Sequence, residues 1–243
     1  MRMLTFAKRN AREILRDPLN LFFGLGFPLV LILMLSAIQA NIPVSLFEIS
    51  SLTPGITVFG LAFMTLFSAT LISKDRGSSL LQRLYTTPMT PTDFILGYTL
   101  PILPIAVAQS VICYIAGIIL GLDVTVNILY AIIFIIPVSL LYIALGLLFG
   151  SILNDKQVGG ICGALLTNLS AWLSGIWFDL ELVGGAFKKV AYALPFVHAV
   201  DMEKEIIAGN LGGIFPHIWW VLGYAAAAMI VAILLFLRQM KKQ

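Results

Sequence analysis

Long apolar runs separated by short polar segments dominate the chain. They fall at about 19–38, 54–73, 95–121, 128–153, 158–178 and 215–237, and each holds 20 or more residues. At 1.5 Å per residue, a helix of 20 residues crosses about 30 Å of hydrocarbon. The pattern predicts an all-α integral membrane protein with six transmembrane helices, residues 19–243 forming one transmembrane domain. Pro28, Pro101, Pro104 and Pro137 fall inside these runs. Membrane helices accept such prolines because neighbouring groups satisfy the freed carbonyls. Only Asn154, Asp155, Lys156 and Gln157 separate the fourth run from the fifth, so a tight hairpin is expected there.

Two polar stretches carry a helical period of their own. In residues 1–18, Leu4, Ala7, Ala11, Ile14 and Leu15 share one face, while Arg2, Arg9, Arg12 and Arg16 occupy the other. Phe6 breaks the pattern by lying on the basic side. This predicts an amphipathic interfacial helix whose arginines meet anionic membrane lipid. In the segment from Lys74 to Asp93, Leu80, Leu81, Leu84 and Tyr85 recur at i, i+1, i+4 and i+5 around Gln82 and Arg83. A short amphipathic helix ended by Pro88 and Pro91 is expected. A helix lying on lipid and a helix presenting an apolar ridge to a soluble partner have the same pattern.

Composition agrees with burial in lipid. Of 243 residues, 60% are hydrophobic and only 11% charged, against about 25% charged in soluble domains. With the N-terminus inside, twelve of the fifteen basic residues fall in cytoplasmic segments, among them Lys74, Arg76, Arg83, Lys156, Arg238, Lys241 and Lys242. The outer segments hold Lys188, Lys189 and Lys204 beside Asp179, Glu181, Asp201, Glu203 and Glu205. The positive-inside rule therefore places both termini in the cytoplasm. The first apolar run is longer than a signal-peptide core and no A-x-A-like cleavage site follows it, so it is expected to remain as an uncleaved span.

The missing chemistry is equally directive. No lysine, arginine, aspartate or glutamate lies well inside an apolar run, which argues against proton- or sodium-coupled carriage. Cys113 and Cys162 fall in two different runs without metal-ligand spacing. His198 and His217 lie near the outer surface as interfacial hydrogen-bonding residues, and Asp201 adds no third ligand. No catalytic residue, metal site or P-loop is found, so any ATP chemistry belongs to another chain. Gly117/Gly121, Gly146/Gly150 and Gly159/Gly163 allow helices to approach closely.

The loop Lys74-Asp75-Arg76-Gly77-Ser78, Leu80-Leu81, Arg83-Leu84, Pro88, then Asp93-Phe94-Ile95-Leu96-Gly97 resembles the first cytoplasmic loop of ABC-2 type transporter permeases. Lys74 and Gln82 stand where that family usually has acidic residues. Leu173-Ser174-Gly175 with Phe178, then Leu194-Pro195-Phe196 and His198-Ala199-Val200-Asp201, is similar to the family's fifth span and the outer segment that follows; Asp179 replaces a frequent proline. The resemblance implies a dimer of six-span subunits, homodimeric or heterodimeric, in a bacterial cell membrane. Two copies of a separate ABC ATPase would carry ATP and Mg, with no cofactor on this chain and no nucleic acid.

In that scheme residues 1–18 are the connecting helix, and Asp75, Gly77, Ser78, Leu80, Leu81, Arg83 and Leu84 form the coupling helix. Asn154, Asp155, Lys156 and Gln157 form a second cytoplasmic loop. The segment from Asp179 to Asn210 folds as short re-entrant helices. Phe59, Phe63, Phe67 and Ser68, with Thr167, Asn168 and Trp172, are candidates for the translocation path, and ordinary helix packing is the competing reading for each. An amphipathic, lipid-like, drug-like or peptide cargo would move outward. An aspartate at Leu81 is expected to leave the chain in the membrane and to lose the ATPase. The alternatives are a membrane scaffold and an ATP-independent carrier.

Overall fold

The computed structural model describes residues 2–78, 80–87 and 89–240. Pro88, Lys241 and Lys242 lie outside the described residues, as do the side chains of Gln82 and Tyr85. Among the described residues, five helices are long and apolar enough to cross a membrane. In chain order, α1 covers Arg2–Leu15 and α2 covers Pro18–Gln39. The long α3, Ile49–Gly77, is followed by the short α4, Leu80–Tyr85. Next come α5, Pro91–Ile119, and α6, Val126–Ile152. The helix α7 runs over 155–172, and three short helices follow: α8, Leu180–Val183, α9, Gly185–Tyr192, and α10, Pro195–Ile207. The last, α11, is Ile214–Met240.

The element boundaries follow local chemistry. Asp17 accepts a hydrogen bond from the Asn20 N–H and Pro18 occupies the first turn, so Asp17-Pro18 opens α2 rather than closing α1. Thr90 and Asp93 form a reciprocal capping box in front of α5, with Pro91 at its first turn. Asn154 and Gln157 do the same for α7. The expected hairpin loop 154–157 is therefore the start of a helix, and only Leu153 and Asn154 separate α6 from α7.

The helix α7 differs from the other long helices. It winds as a π-helix over Gly159–Leu166 and ends at Trp172, where the apolar run 158–178 predicts six further residues. Eighteen residues reach at most about 27 Å at the α-helical rise, and Asp155, Lys156 and Gln157 occupy its first turn. The five long helices exceed it in both length and apolar character. A shorter π-helical stretch, Phe22–Gly26, lies in α2.

The core is built around α3, whose 29 residues are buried along most of their length. It packs on α6, α5, α10, α7 and α2. The seam with α6 is closest. Thr65 donates to the Tyr142 carbonyl at 2.8 Å and Ser68 to the Ile143 carbonyl at 3.3 Å. Gly146 and Gly150 leave room for this approach: a Cβ on Gly146 would sit 2.5 Å from the Thr65 carbonyl oxygen. The pair Gly146/Gly150 thus serves packing within one chain. Gly159 faces open space and Gly163 makes only ordinary contact with Leu66.

Candidate coupling site

The end of the bundle that carries α1 is tied together by three consecutive residues at the foot of α3. Lys74 lies 4.0 Å from Asp17 at the α1–α2 junction. The Asp75 carboxylate is 1% exposed and accepts from the Arg9 guanidinium at 2.6 Å and from the Tyr98 hydroxyl at 2.9 Å. Arg76 donates to the carbonyls of Ser151, Ile152 and Leu153, satisfying acceptors that the end of α6 leaves open. Ser73 meets Asp155 at 3.4 Å, so α7 joins as well. One turn of α3 therefore holds α1, α2, α5, α6 and α7.

This arrangement explains Phe6. The side of α1 that packs on the bundle carries Phe6, Ala7, Asn10 and Ile14, while Leu4 and Leu15 stay exposed. Phe6 meets Tyr98 edge-on at 5.0 Å and Phe94 at 5.9 Å. Asn10 donates to the Gly97 carbonyl at 3.0 Å, and a Cβ on Gly97 would strike the Phe6 ring. The apolar half of the helix is split in two: one part seats on α5, and the other faces outward beside the basic residues.

The short helix α4 is anchored through Leu81, which is 1% exposed, and through Leu84, half-buried against the same core. Arg83 points outward. Leu81 belongs to the core and not to a ridge offered to a partner. An aspartate there would bury a carboxylate without a counter-charge, so Leu81→Asp is expected to lower folding yield before any docking is tested. Gly77 and Ser78 are exposed. They border a concavity of about 670 Å³ with Ser73, Lys74, Arg76, Asn154, Asp155 and Lys156. Two segments far apart in sequence, 73–78 and 154–156, thus share one surface that carries three basic side chains.

The sequence pattern that defines ABC-2 type transporters matches residues 1–207. The chain belongs to the ABC-2 type transporter family. No curated protein matches it. As a permease of this family it is a multi-pass membrane protein of a transporter, and such permeases generally work with an ABC ATPase.

The suggested path residues do not share one surface. Phe59, Phe63, Phe67 and Ser68 are buried in the permease core. Phe63 stacks with Phe23 at 5.9 Å and meets Phe27 at 5.8 Å and Phe59 at 6.0 Å, which joins α2 to α3. Thr167 is buried and donates to the Cys162 carbonyl. Asn168 is exposed, and Trp172, at 56%, faces outward from α7.

Two features at the opposite end escape the periodic pattern. His198 on α10 and His217 on α11 point their Nδ1 atoms at each other across 3.0 Å, while His198 Nε2 meets the Tyr192 carbonyl at 3.0 Å. Trp220 stacks on His198 at 4.8 Å. Charge places Glu203 on the outer side, in the stretch expected to be re-entrant; α10 is buried on most of its faces and this side chain is 0% exposed. Tyr114 donates to Glu203 Oε2 at 2.9 Å, and Oε1 has no hydrogen-bond partner among the described residues.

Burial pushes the Glu203 carboxyl up to about 8 from an ordinary 4.5. A raised carboxyl value favours the folded state below about pH 4.5, and that contribution is lost as pH rises through 8. Glu203→Gln removes this loss. Its thermal midpoint relative to wild type should rise between pH 5 and about pH 8 and level off above that, as followed by scanning fluorimetry in detergent. Parallel pH profiles would contradict the assignment.

Proposed function

We propose that this chain is the membrane-spanning subunit of an ABC exporter, driven by a separate ATPase that docks on the end bearing α1 and α4. The shared concavity bounded by 73–78 and 154–156 carries this reading. A soluble subunit seated there would touch the foot of α3 and the start of α7 together, and the fixed turn Lys74-Asp75-Arg76 would pass its motion to α1, α5 and α6. The two-state closure of the ATPase supplies the differential contact that a change of access requires.

In this reading the α1 end lies in the cytoplasm, because the basic residues gather there. The helix α7 is a sixth, shorter crossing, which brings both termini to the cytoplasmic side. Two permease copies and two ATPase copies form the transporter, with ATP and Mg held on the ATPase. Leu165, Asn168, Leu169 and Trp172 of α7 are exposed in the single chain and suit a seam with the second copy. A homodimer is the simplest form. The helices α8, α9 and α10 are read as re-entrant elements of the outer leaflet. The cargo is amphipathic and moves outward.

Charge reversal tests the docking surface. Arg83 and Lys156 are exposed, and their side chains make no hydrogen bond or ion pair among the described residues. Arg83→Glu/Lys156→Glu is expected to remain folded in the membrane and to lose most of the co-purifying P-loop ATPase. Full recovery of the ATPase with this variant would overturn the surface.

A further inference from the structure

Opposite the basic end, a cavity of about 440 Å³ opens between the 45–47 turn, the start of α3, residues 174–180 and α10. Its volume lies in the range of small-molecule sites. Trp177, Phe178 and Tyr192 contribute aromatic surface to its wall, and Asp179 and Asp201 contribute carboxylates. Lys204 is the one basic residue of the lining among the described residues, and its ammonium lies 3.5 Å from the Gly175 carbonyl. The cavity therefore carries two carboxylates against one ammonium.

The two carboxylates differ. Asp179 caps α8 by accepting from the Glu181 N–H at 2.9 Å. Asp201 is half-buried, one turn before Lys204 on the same helix, and makes no hydrogen bond or ion pair among the described residues. A carboxylate withdrawn from water without a partner is costly. Burial pushes it up to about 6, which still leaves it ionised at neutral pH. Aromatic faces beside an unpaired carboxylate form a chemical complement to a positive charge on an apolar body.

We infer that this cavity binds an organic cation with an apolar body, Asp201 acting as its counter-charge and Trp177, Phe178 and Tyr192 as its walls. The inference deepens the transport reading, on which its meaning as a cargo subsite rests, and it names the substrate class as alkyl- or arylammonium-like. Two sources carry that chemistry: a soluble amphiphilic amine and the ammonium headgroup of a membrane lipid.

The test is direct binding of tetraphenylphosphonium to the full-length protein in phosphatidylglycerol nanodiscs, with empty nanodiscs subtracted. Wild type should bind saturably at one site per chain. Asp201→Asn should weaken binding about tenfold or more, whereas Lys204→Gln should bind at least as tightly as wild type. Neutral triphenylphosphine oxide should show no dependence on Asp201. Unchanged thermal midpoints of the variants keep folding out of the comparison.

Repeating the titration in phosphatidylethanolamine nanodiscs separates the sources. A smaller ratio of wild-type to Asp201→Asn affinity there supports the site with lipid as its ligand, and an unchanged ratio supports it with a soluble amine; the ratio cancels the loss of cation accumulation at the anionic surface. No saturable binding above empty nanodiscs, or equal affinities of wild type and Asp201→Asn, would overturn the proposal. Because no ATPase is present, that result would leave the permease reading to be judged on partner recovery.

Discussion

Gly146→Leu is expected to destabilise the permease by about 3 kcal/mol or more. A Cβ at this position would lie 2.5 Å from both the Thr65 carbonyl oxygen and the Ser68 Cβ. Neither atom belongs to the far end of a flexible chain, so α6 must move away from α3. Overpacking of this kind costs about 1–3 kcal/mol. The same movement stretches the Thr65 and Ser68 hydrogen bonds to the carbonyls of α6, worth roughly 0.5–1.5 kcal/mol each. Thermal unfolding in detergent would read the loss. Gly159→Ala is the matched control, because a Cβ at Gly159 meets nothing within 4 Å. Equal midpoints for Gly146→Leu and wild type would refute the close α3–α6 seam.

The second large effect concerns the ion pair that fastens α1 to the bundle. Arg9→Met leaves the buried Asp75 carboxylate with Tyr98 but without its counter-charge. Removing one partner of a buried pair costs about 3–5 kcal/mol. The Arg9 side chain is 39% exposed, so about 2–3 kcal/mol is expected for this pair. The reverse change, Asp75→Asn, should cost less, since Arg9 can turn to water or to Glu13, 2.7 Å away. Limited proteolysis checks where the loss falls. Arg9→Met should expose the α1–α2 junction to cleavage while the rest of the bundle resists. If the two variants are equally stable, the asymmetry of burial is not what governs this contact.

Helices with a strong apolar period are legible in the sequence, and residues serving two environments are not. The five long apolar helices follow from the period alone, whereas the caps at Asp17-Pro18, Thr90 and Asn154 are hidden by it: Asp17-Pro18 reads as part of the N-terminal helix and 154–157 as a loop. Phe6 breaks the amphipathic pattern of α1 because that helix serves a protein surface and an outer face at once. Leu81 is legible as apolar but not as buried, because a six-residue helix has the same pattern whether its leucines turn inward or outward.

Glu203 shows a further limit. Its helix, Pro195–Ile207, carries five charged or histidine side chains and falls within the outer stretch expected to fold as short re-entrant helices, a pattern that does not single out Glu203 as fully buried. Packing against α3, α6 and α11 overrides that composition. The convergence of 73–78 with 154–156 lies beyond any local signal, since about 75 residues and three turns of topology separate them. The extent of α7 departs from the pattern for a simpler reason: the apolar run continues past Trp172, but the backbone leaves the helix there.

Subunit stoichiometry tests most directly whether this ABC-2 permease works through a separate ATPase. The tagged chain would be extracted from its native membrane in a gentle detergent and weighed intact by native mass spectrometry. A four-chain assembly of two permeases and two P-loop ATPases is the expected result. A permease found alone or only with itself, even after cross-linking before extraction, would contradict it.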